Sequence, residues 1–400
     1  MGQPLVDTDR TPAPRFLTLA RRIPAGIRTL VDEADGCASM SCAVGGGPCR
    51  RPPLRTPLAV PAAAGASALR RGRGIAFGRS PRELLSIRIS GSVGSNFALQ
   101  GTLLKSIPLL LTGLSVAIAF RAGVWNIGGE GQFLAGALGA FLAARYGMIA
   151  AIAASLIAGA VWASIASAMR LWRNAPEVLT TILLNFIAVH LLGYAVNGPL
   201  QEASGKYPQS DAIPTTATLP TLGDLHAGIL LAVIAAIAAW FLLYRTAEGL
   251  RLRASGFNRS AAKWAGVNVD AQLVRAMAIS GAMAGLAGGI ELLGVTHRLF
   301  ERFAAGYGYA GIAVALLAQL HPLGALGSAF FFGALTTGAG ELQRTAGISS
   351  TVATFGQAIV ILVMIVFTRR RSWERGRPAR RNSLASHENS GRDARAPRKR

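Results

Sequence analysis

The sequence predicts an all-α fold, a polytopic helix bundle embedded in a membrane, on three observations. Hydrophobic residues make up 51% of the 400-residue chain and charged residues only 15%, whereas soluble globular domains carry about 25% charged residues. The mean hydropathy is +0.40. The apolar residues fall into stretches of membrane-spanning length. An ordinary soluble enzyme and an intrinsically disordered chain are therefore excluded.

The apolar stretches define the elements in order. Long spans are expected at about 101–121, 147–170, 178–197, 225–244, 273–294 and 347–368, and shorter glycine-rich stretches at about 127–145, 306–320 and 324–340. We therefore expect eight or nine spans. They are predicted to be helical because a segment in lipid must satisfy its backbone polar groups internally. Recurring small residues such as Gly281 and Gly285 are typical of close helix packing in lipid.

The formal net charge of +22 lies mainly in two flanks, with net +8 over residues 1–98 and net +9 over residues 369–400. Both flanks lack a sustained apolar period. We predict a basic, proline-, arginine- and cysteine-containing non-membrane segment over 1–90, a transmembrane domain over 91–368 and a basic cytoplasmic tail over 369–400. Neither flank has the pattern of a nucleic-acid-binding face, so no nucleic-acid partner is expected.

The loops predict the orientation of the bundle. The basic stretch 245–275 and the C-terminal tail should lie in the cytoplasm, and the acidic, proline-containing stretch 198–224 should lie outside. Nine spans counted back from a cytoplasmic C terminus place the basic N-terminal flank outside, which the positive-inside rule disfavours. Either one short stretch is re-entrant, or a span is missing before residue 100.

Two motifs place polar residues within the apolar region. The first lies between Phe120 and Gln132 and carries Asn126 and Glu130 among four glycines. Glycine at that density predicts a broken helix, which is tolerated at depth where it lines a cavity or is buried in protein. Glu130 is therefore a candidate functional group or a structural partner of a neighbouring helix.

The second polar motif is Glu177, Thr181 and Asn185, which recur at a spacing of four residues. That spacing puts them on one face of a helix. A polar stripe of this kind either joins helices or lines a path through the membrane.

A third motif, 254–266, lies within the basic stretch and combines small residues with Asn258 and Arg259. It predicts a short helix at the membrane surface that docks on a cytoplasmic partner; the alternative is a plain surface loop. The sequence has no Walker A pattern, no H-E-x-x-H, no G-x-S-x-G and no Cys/His metal cluster. We therefore expect neither an enzyme active site nor a metal site.

Five stretches of the chain resemble the permease subunits of ABC importers for nucleosides and related simple sugars. They are PLLLTGLSVAIAFRAGVWNIGGEGQFLAGALGA (108–140), EVLTTILLNFIAVHLLGYAVNGPL (177–200), GLRLRASGFNRSAAKWAGVNV (249–269), SGAMAGLAGGIELLGVTHRL (280–299) and GYGYAGIAVALLAQLHPLG (306–324). Their order and spacing fit the family over about 70% of the chain, from about Ser90 to Thr368.

The resemblance implies a multi-pass subunit of a bacterial inner membrane that works by alternating access. Its partners would be an ATP-binding subunit, a second and different permease subunit, an extracytoplasmic substrate-binding lipoprotein and the lipid bilayer. The chain would hold no cofactor of its own, because Mg–ATP binds the partner subunit. The resemblance makes Gly256, Asn258, Ala261, Ala262 and Gly266 the segment that couples to that subunit.

The pathway candidates are Asn126, Glu130, Gln132, Thr181, Asn185 and Glu291. Among them, structural pairing is the favoured role for Glu130 and Glu291. A proton-coupled secondary transporter using Glu130, Glu291 or His297 is the alternative from another class. Family members begin with one further membrane helix, which this chain lacks. Residues 1 to about 85 are hypothesised to be a mistranslated segment or a replacement for that helix, and a non-functional permease is a third alternative.

Overall fold

A computed structural model describes residues 81–223 and 225–347. Within these ranges the regular structure is helical apart from one antiparallel hairpin, β1 (Thr221–Leu222) with β2 (Leu225–His226), and the helices are joined by turns and loops. The α-helices are α1 Pro81–Val93, α2 Asn96–Arg121, α3 Gly129–Ala143, α4 Met148–Arg173, α5 Glu177–Asn197, α6 Gly228–Arg245, α7 Ala247–Phe257, α8 Arg259–Trp264, α9 Val269–Glu291, α10 Tyr307–Leu317 and α11 Pro322–Ala346. The predicted all-α class is confirmed.

Six of the described helices are long and apolar enough to cross a membrane: α2, α4, α5, α6, α9 with the turn after it, and α11. Five of them lie where the sequence predicts long spans. The short stretch predicted at 324–340 is instead a 25-residue helix. Its last turns carry Glu341 and Arg344, which dilute the apolar run without ending the helix. Apart from Gly347, the predicted span 347–368 lies outside the described residues, as does the tail 369–400.

Two helices, α3 and α10, are too short to cross a bilayer. They have 15 and 11 residues, or about 22 and 16 Å at 1.5 Å per residue, against a hydrocarbon core of about 30 Å. The start of α10 is beside Thr112 of α2, whose hydroxyl donates to the Tyr307 carbonyl at 3.0 Å. Thr112 lies about 13 Å along α2 from Arg121, so α10 begins well inside the bundle.

The centre of the bundle is α9, which packs against α4, α3 and α2. Gly281 and Gly285 of α9 face Gly159 of α4, and a Cβ on Gly159 would lie 2.7 Å from the Cα of Gly285. Gly136 of α3 meets the same Gly285 backbone. Contacts this close are how helices gain van der Waals energy in lipid. The interpretation of these glycines as packing residues agrees with the structure.

One end of the bundle carries Arg121, Arg170, Arg173 and Arg245 at helix termini together with α7 and α8; we call it the basic end. At the opposite end the connection after α5 is bonded to the segment after α9. The amide of Ser210 donates to the Leu299 carbonyl at 2.8 Å, and Arg298 pairs with Glu202 at 3.0 Å.

Helix α1 packs along α11 near this opposite end. The guanidinium of Arg88 donates to the Leu335 carbonyl at 3.1 Å. Because α1 begins at Pro81, helical structure starts ten residues before the predicted membrane-domain boundary at residue 91. The predicted non-membrane segment 1–90 otherwise lies outside the described residues.

Candidate functional site

The connection between α2 and α3 folds back into the bundle and is held there by Asn126, whose side chain is fully buried. Its amide nitrogen donates to Gln132 Oε1 at 2.9 Å and to Ser280 Oγ at 2.8 Å. Its oxygen accepts from the Gly128 amide at 2.9 Å and from Gln132 Nε2 at 3.0 Å. Ser280 in turn donates to the Ser115 carbonyl at 2.8 Å. Two predicted pathway residues, Asn126 and Gln132, are thus bonded to each other and joined to α9 and α2.

Asn185 fixes the same connection from the side of α5. Its oxygen accepts from the Gly131 amide at 2.8 Å, and its nitrogen donates to the Ile127 carbonyl at 3.0 Å and to the Tyr309 hydroxyl at 3.2 Å. One turn earlier, Thr181 accepts from the Ile127 amide at 3.4 Å. The polar stripe on α5 therefore joins helices in this conformation. Its first member, Glu177, forms an ion pair with Arg170 at the basic end.

Glu130 lies where the N termini of two helices meet. It belongs to the first turn of α3, and its carboxylate oxygens accept from the Gly306 amide at 2.9 Å and the Gly308 amide at 2.7 Å, at the start of α10. Both helices direct the positive ends of their dipoles at this point. One carboxylate thus satisfies buried backbone donors of α10 and offsets two helix dipoles without a basic side chain.

Glu291 is away from this cluster, at the point where α9 passes into a wider π-helical turn over Leu292–Thr296. Turns of this kind occur frequently at functional sites. The charged group that acts on its carboxylate is Lys105 of α2. Among the described residues, Glu291 shares no hydrogen bond with the other five candidates, which the structure brings together around the start of α3.

Lys105 was missed by the sequence analysis because one lysine within a long apolar run does not interrupt the predicted span. It lines a cavity of about 440 Å³ between α1, α2 and α11. The polar side chains around that cavity are Ser90, Ser95, Lys105, Thr337, Glu341 and Arg344. Within the described residues, the buried Thr337 hydroxyl has no hydrogen-bond partner. The cavity therefore presents charged and hydroxyl groups next to a membrane-spanning helix.

The segment predicted to couple to a partner forms two short helices, α7 and α8, at the basic end. Asn258 caps α8 by accepting from the Ala261 amide at 3.0 Å. Ala262 is buried, and Gly266 has φ +81° in the turn after α8. Two aromatic side chains point away from the bundle, with Phe257 83% and Trp264 91% exposed. The surface helix is present as the sequence predicts.

Gly256 seats this segment on the end of α2. A Cβ on Gly256 would overlap the Arg121 carbonyl, and a Cβ on Gly123 would lie 2.9 Å from the Cα of Gly256. A second contact uses charge, since Glu248 of α7 pairs with Arg275 of α9 at 2.7 Å and accepts from Gln272 at 3.1 Å. The hydrogen bond from Gln272, followed by the hydrogen bond from Arg251 and the positive charges of Arg275 and Arg251, lowers the pKa of Glu248 below its usual value.

Across residues 81–223 and 225–347 there is no group of three or more His, Cys, Asp or Glu side chains that could hold a metal ion. Beyond Lys105, the sequence analysis missed Ser115, Ser280 and Tyr309, which complete the polar cluster. Hydroxyl residues are common in membrane helices, and nothing local distinguishes these three. Only the fold brings Ser280 to Asn126, 154 residues away.

The geometry defines a class of protein. Among the described residues, six candidate membrane spans, two half-length helices that meet in the interior and paired surface helices at a basic end are features of a multi-pass membrane transport protein. The chain belongs to the family described as the permease component of the branched-chain amino acid transport system, whose model matches residues 98–368.

Characterised relatives place the chain within that family. It is 35% identical to the guanosine ABC transporter permease protein of Bacillus subtilis, over 68% of this chain and 82% of the relative. It is 31% identical to the glucose ABC transporter permease protein of Haloferax volcanii, over 73% and 82%. Identity to the nucleoside ABC transporter permease protein of Lactococcus lactis is 29%, over 73% and 86%. No solved structure matches the chain. The chain is therefore a permease of the nucleoside and sugar type of ABC importer, a transport subunit rather than an enzyme.

Proposed function

We propose that this chain forms the translocation path for nucleosides in an ATP-driven importer, with related simple sugars as the runner-up substrates. The relatives named above are a guanosine, a nucleoside and a glucose permease, and these compounds share a ring that carries several hydroxyl groups. The cavity around Lys105, with Glu341, Thr337 and Ser95, offers donors and acceptors suited to such hydroxyls.

The observation that carries the ATP-driven part of the proposal is the paired surface helices α7 and α8. Phe257 and Trp264 are almost fully exposed there, and exposed aromatic side chains are typical anchors of protein interfaces. An ATP-binding subunit would dock on these side chains, and Mg–ATP would be bound in that subunit. The basic end and the C-terminal tail would then be cytoplasmic.

Transport would proceed by alternating access. Substrate would arrive at the opposite end from a substrate-binding lipoprotein, and a second permease subunit would complete the path. ATP binding would shift the balance between two packings of the helices by contacting one packing better than the other. In this scheme Asn126, Gln132 and Asn185, now hydrogen-bonded within the bundle, would exchange partners between the two states.

A proton-driven carrier would need Glu130, Glu291 or His297 to bind and release protons. Glu130 fits that role poorly, since its two oxygens accept from two backbone N–H donors, and these donors stabilise a fixed carboxylate. The exposed Phe257 and Trp264 of α7 and α8 suit a docked ATPase instead.

The experiment is uptake of radiolabelled guanosine and glucose into proteoliposomes that contain this chain, its ATP-binding subunit and its partner permease, supplied with the substrate-binding lipoprotein. We expect guanosine uptake to need ATP and to be insensitive to a proton ionophore. Gly256→Ala and Asn258→Ala should each lower uptake at least tenfold, whereas Gly327→Ala, with no neighbouring atom within 4 Å of the added Cβ, should not. Uptake driven by a pH gradient without ATP would reject the proposal, and ATP-dependent uptake of glucose alone would change the substrate to a sugar.

A further inference from the structure

Helix α10 is held at both ends by residues of one other part of the chain, the end of α2 and the start of α3. At its N terminus, Glu130 accepts from the Gly306 and Gly308 amides. At its C-terminal turn, Arg121 donates from Nε to the Leu320 carbonyl at 3.1 Å and from a terminal nitrogen to the Gln319 carbonyl at 3.1 Å. An acidic group at the N terminus and a basic group at the C terminus both complement the helix dipole.

The turn that Arg121 holds has an uncommon backbone. Gln319 and Leu320 are consecutive non-glycine residues with φ of 53° and 58°. Residues other than glycine rarely adopt this left-handed backbone conformation, and it persists only where the surrounding structure imposes it. The two hydrogen bonds from Arg121 are therefore part of what fixes the angle between α10 and α11.

Helix α7 also contacts the bundle at Arg121. The backbone of Gly256 packs directly against residues 121–123, without room for a Cβ. A second link passes through Tyr244 of α6. The guanidinium of Arg253 on α7 lies 4.9 Å from its ring centroid and that of Arg121 lies 5.9 Å away, both within the range of cation–π attraction. The ring of His321, at the start of α11, lies 5.3 Å from the Tyr244 ring.

These contacts form one continuous route. A displacement of α7 must move Arg253, Tyr244 or the end of α2, because the backbones of α7 and α2 are in direct contact at Gly256. Arg121 passes that displacement to the turn after α10. Because α10 is only 11 residues long, the displacement reaches its N-terminal end, which Glu130 holds in the interior.

We propose that Arg121 is a positioning residue that couples movement of α7 and α8 to α10, and through Glu130 to the re-entrant connection beside Asn126. This inference rests on the proposed function. It identifies α10 as the element through which the state of the docked ATPase reaches the interior polar cluster.

The test compares ATP hydrolysis with guanosine uptake in the same proteoliposomes. Arg121→Gln should keep ATP hydrolysis within about twofold of wild type and lower uptake at least tenfold, so that the ratio of uptake to hydrolysis falls at least fivefold. Arg121→Lys should give an intermediate ratio, because a lysine keeps the charge and cannot hold both carbonyls in one planar fork. Arg245→Gln is the matched control, an exposed arginine at the same end stacked on Trp240, and should leave the ratio unchanged.

An unchanged ratio in Arg121→Gln overturns the inference, whether both activities persist or both fall together. If Arg121→Gln fails to assemble, the same ratio is measured in Tyr244→Leu, which removes the ring under both guanidinium groups. A normal ratio in that variant also overturns the inference. Absence of ATP-dependent uptake in the wild type counts against the proposed function instead, so the two failures are distinguishable.

Discussion

The interior polar cluster around Asn126 and the surface segment α7–α8 are the two regions to which function is attributed, and they are stabilised in opposite ways. In the cluster the side chains of Asn126, Gln132 and Asn185 are hydrogen-bonded within the bundle and at most 1% exposed. The surface segment relies on a close glycine contact, a helix cap and exposed ion pairs. Water can replace lost partners on the surface and cannot do so inside lipid. We therefore expect substitutions in the interior to change stability and those on the surface to change coupling.

The largest effect is expected from Asn126→Ala. This substitution removes four hydrogen bonds and leaves the buried Gly128 amide and Gln132 side chain unsatisfied, at a cost of about 2–4 kcal/mol. The loss will be visible as a lower unfolding temperature and a lower yield of monodisperse protein in detergent. Asn197→Ala is the matched control, since Asn197 is exposed and bonds only within its own helix, to the Gly193 carbonyl. Equal stability of the two variants would contradict the contrast between interior and surface.

A smaller effect of the same kind is expected from Glu130→Gln. The amide group is nearly isosteric but removes the charge that faces two helix N termini, and its nitrogen would oppose a backbone N–H. We expect a loss of about 1–3 kcal/mol, measured by thermal unfolding in detergent. The exposed Glu301 supplies the control Glu301→Gln. If Glu130→Gln is as stable as wild type while uptake is lost, Glu130 acts in transport rather than in holding α10.

The sequence predicts the spans well because each depends on local composition. The positions of α2, α4, α5, α6 and α9 follow from apolar runs, and the breaks at α3 and α10 follow from glycine density. The end of α11 could not be predicted in this way. Glu341 and Arg344 end the apolar run in the sequence, but charged residues are compatible with a helix and α11 continues through them. The polar residues at the break attract attention in the sequence because polar side chains within an apolar run are costly and are retained for a reason, and the structure places five of the six candidates around the start of α3.

Partners at long sequence separation could not be predicted. Glu130 bonds to backbone amides 176 and 178 residues away, and backbone amides carry no sequence signal. The same holds for Arg121, whose acceptors are the carbonyls of Gln319 and Leu320. The basic residues at helix ends are equally consistent with orientation signals, and only the fold distinguishes Arg121 from Arg245. The roles of the pathway candidates in transport remain predictions.

The smallest effect is expected on the surface, from Glu248→Gln at the start of α7. Because its pKa is lowered in the folded state, the ionised form of Glu248 stabilises the fold at neutral pH. That contribution is present above the usual pKa of 4.5 and disappears as the pH falls through the lower folded value. Wild type should therefore be slightly more stable than Glu248→Gln at pH 7, and the difference should shrink as the pH falls below 4.5. Unfolding temperatures measured from pH 3 to pH 7 check this, with uptake at pH 7 staying within about twofold, because exposed ion pairs contribute little to stability. A difference that does not shrink as the pH falls from 7 to 3 would mean that Glu248 holds α7 by shape rather than by charge, as the side chains of the interior cluster do.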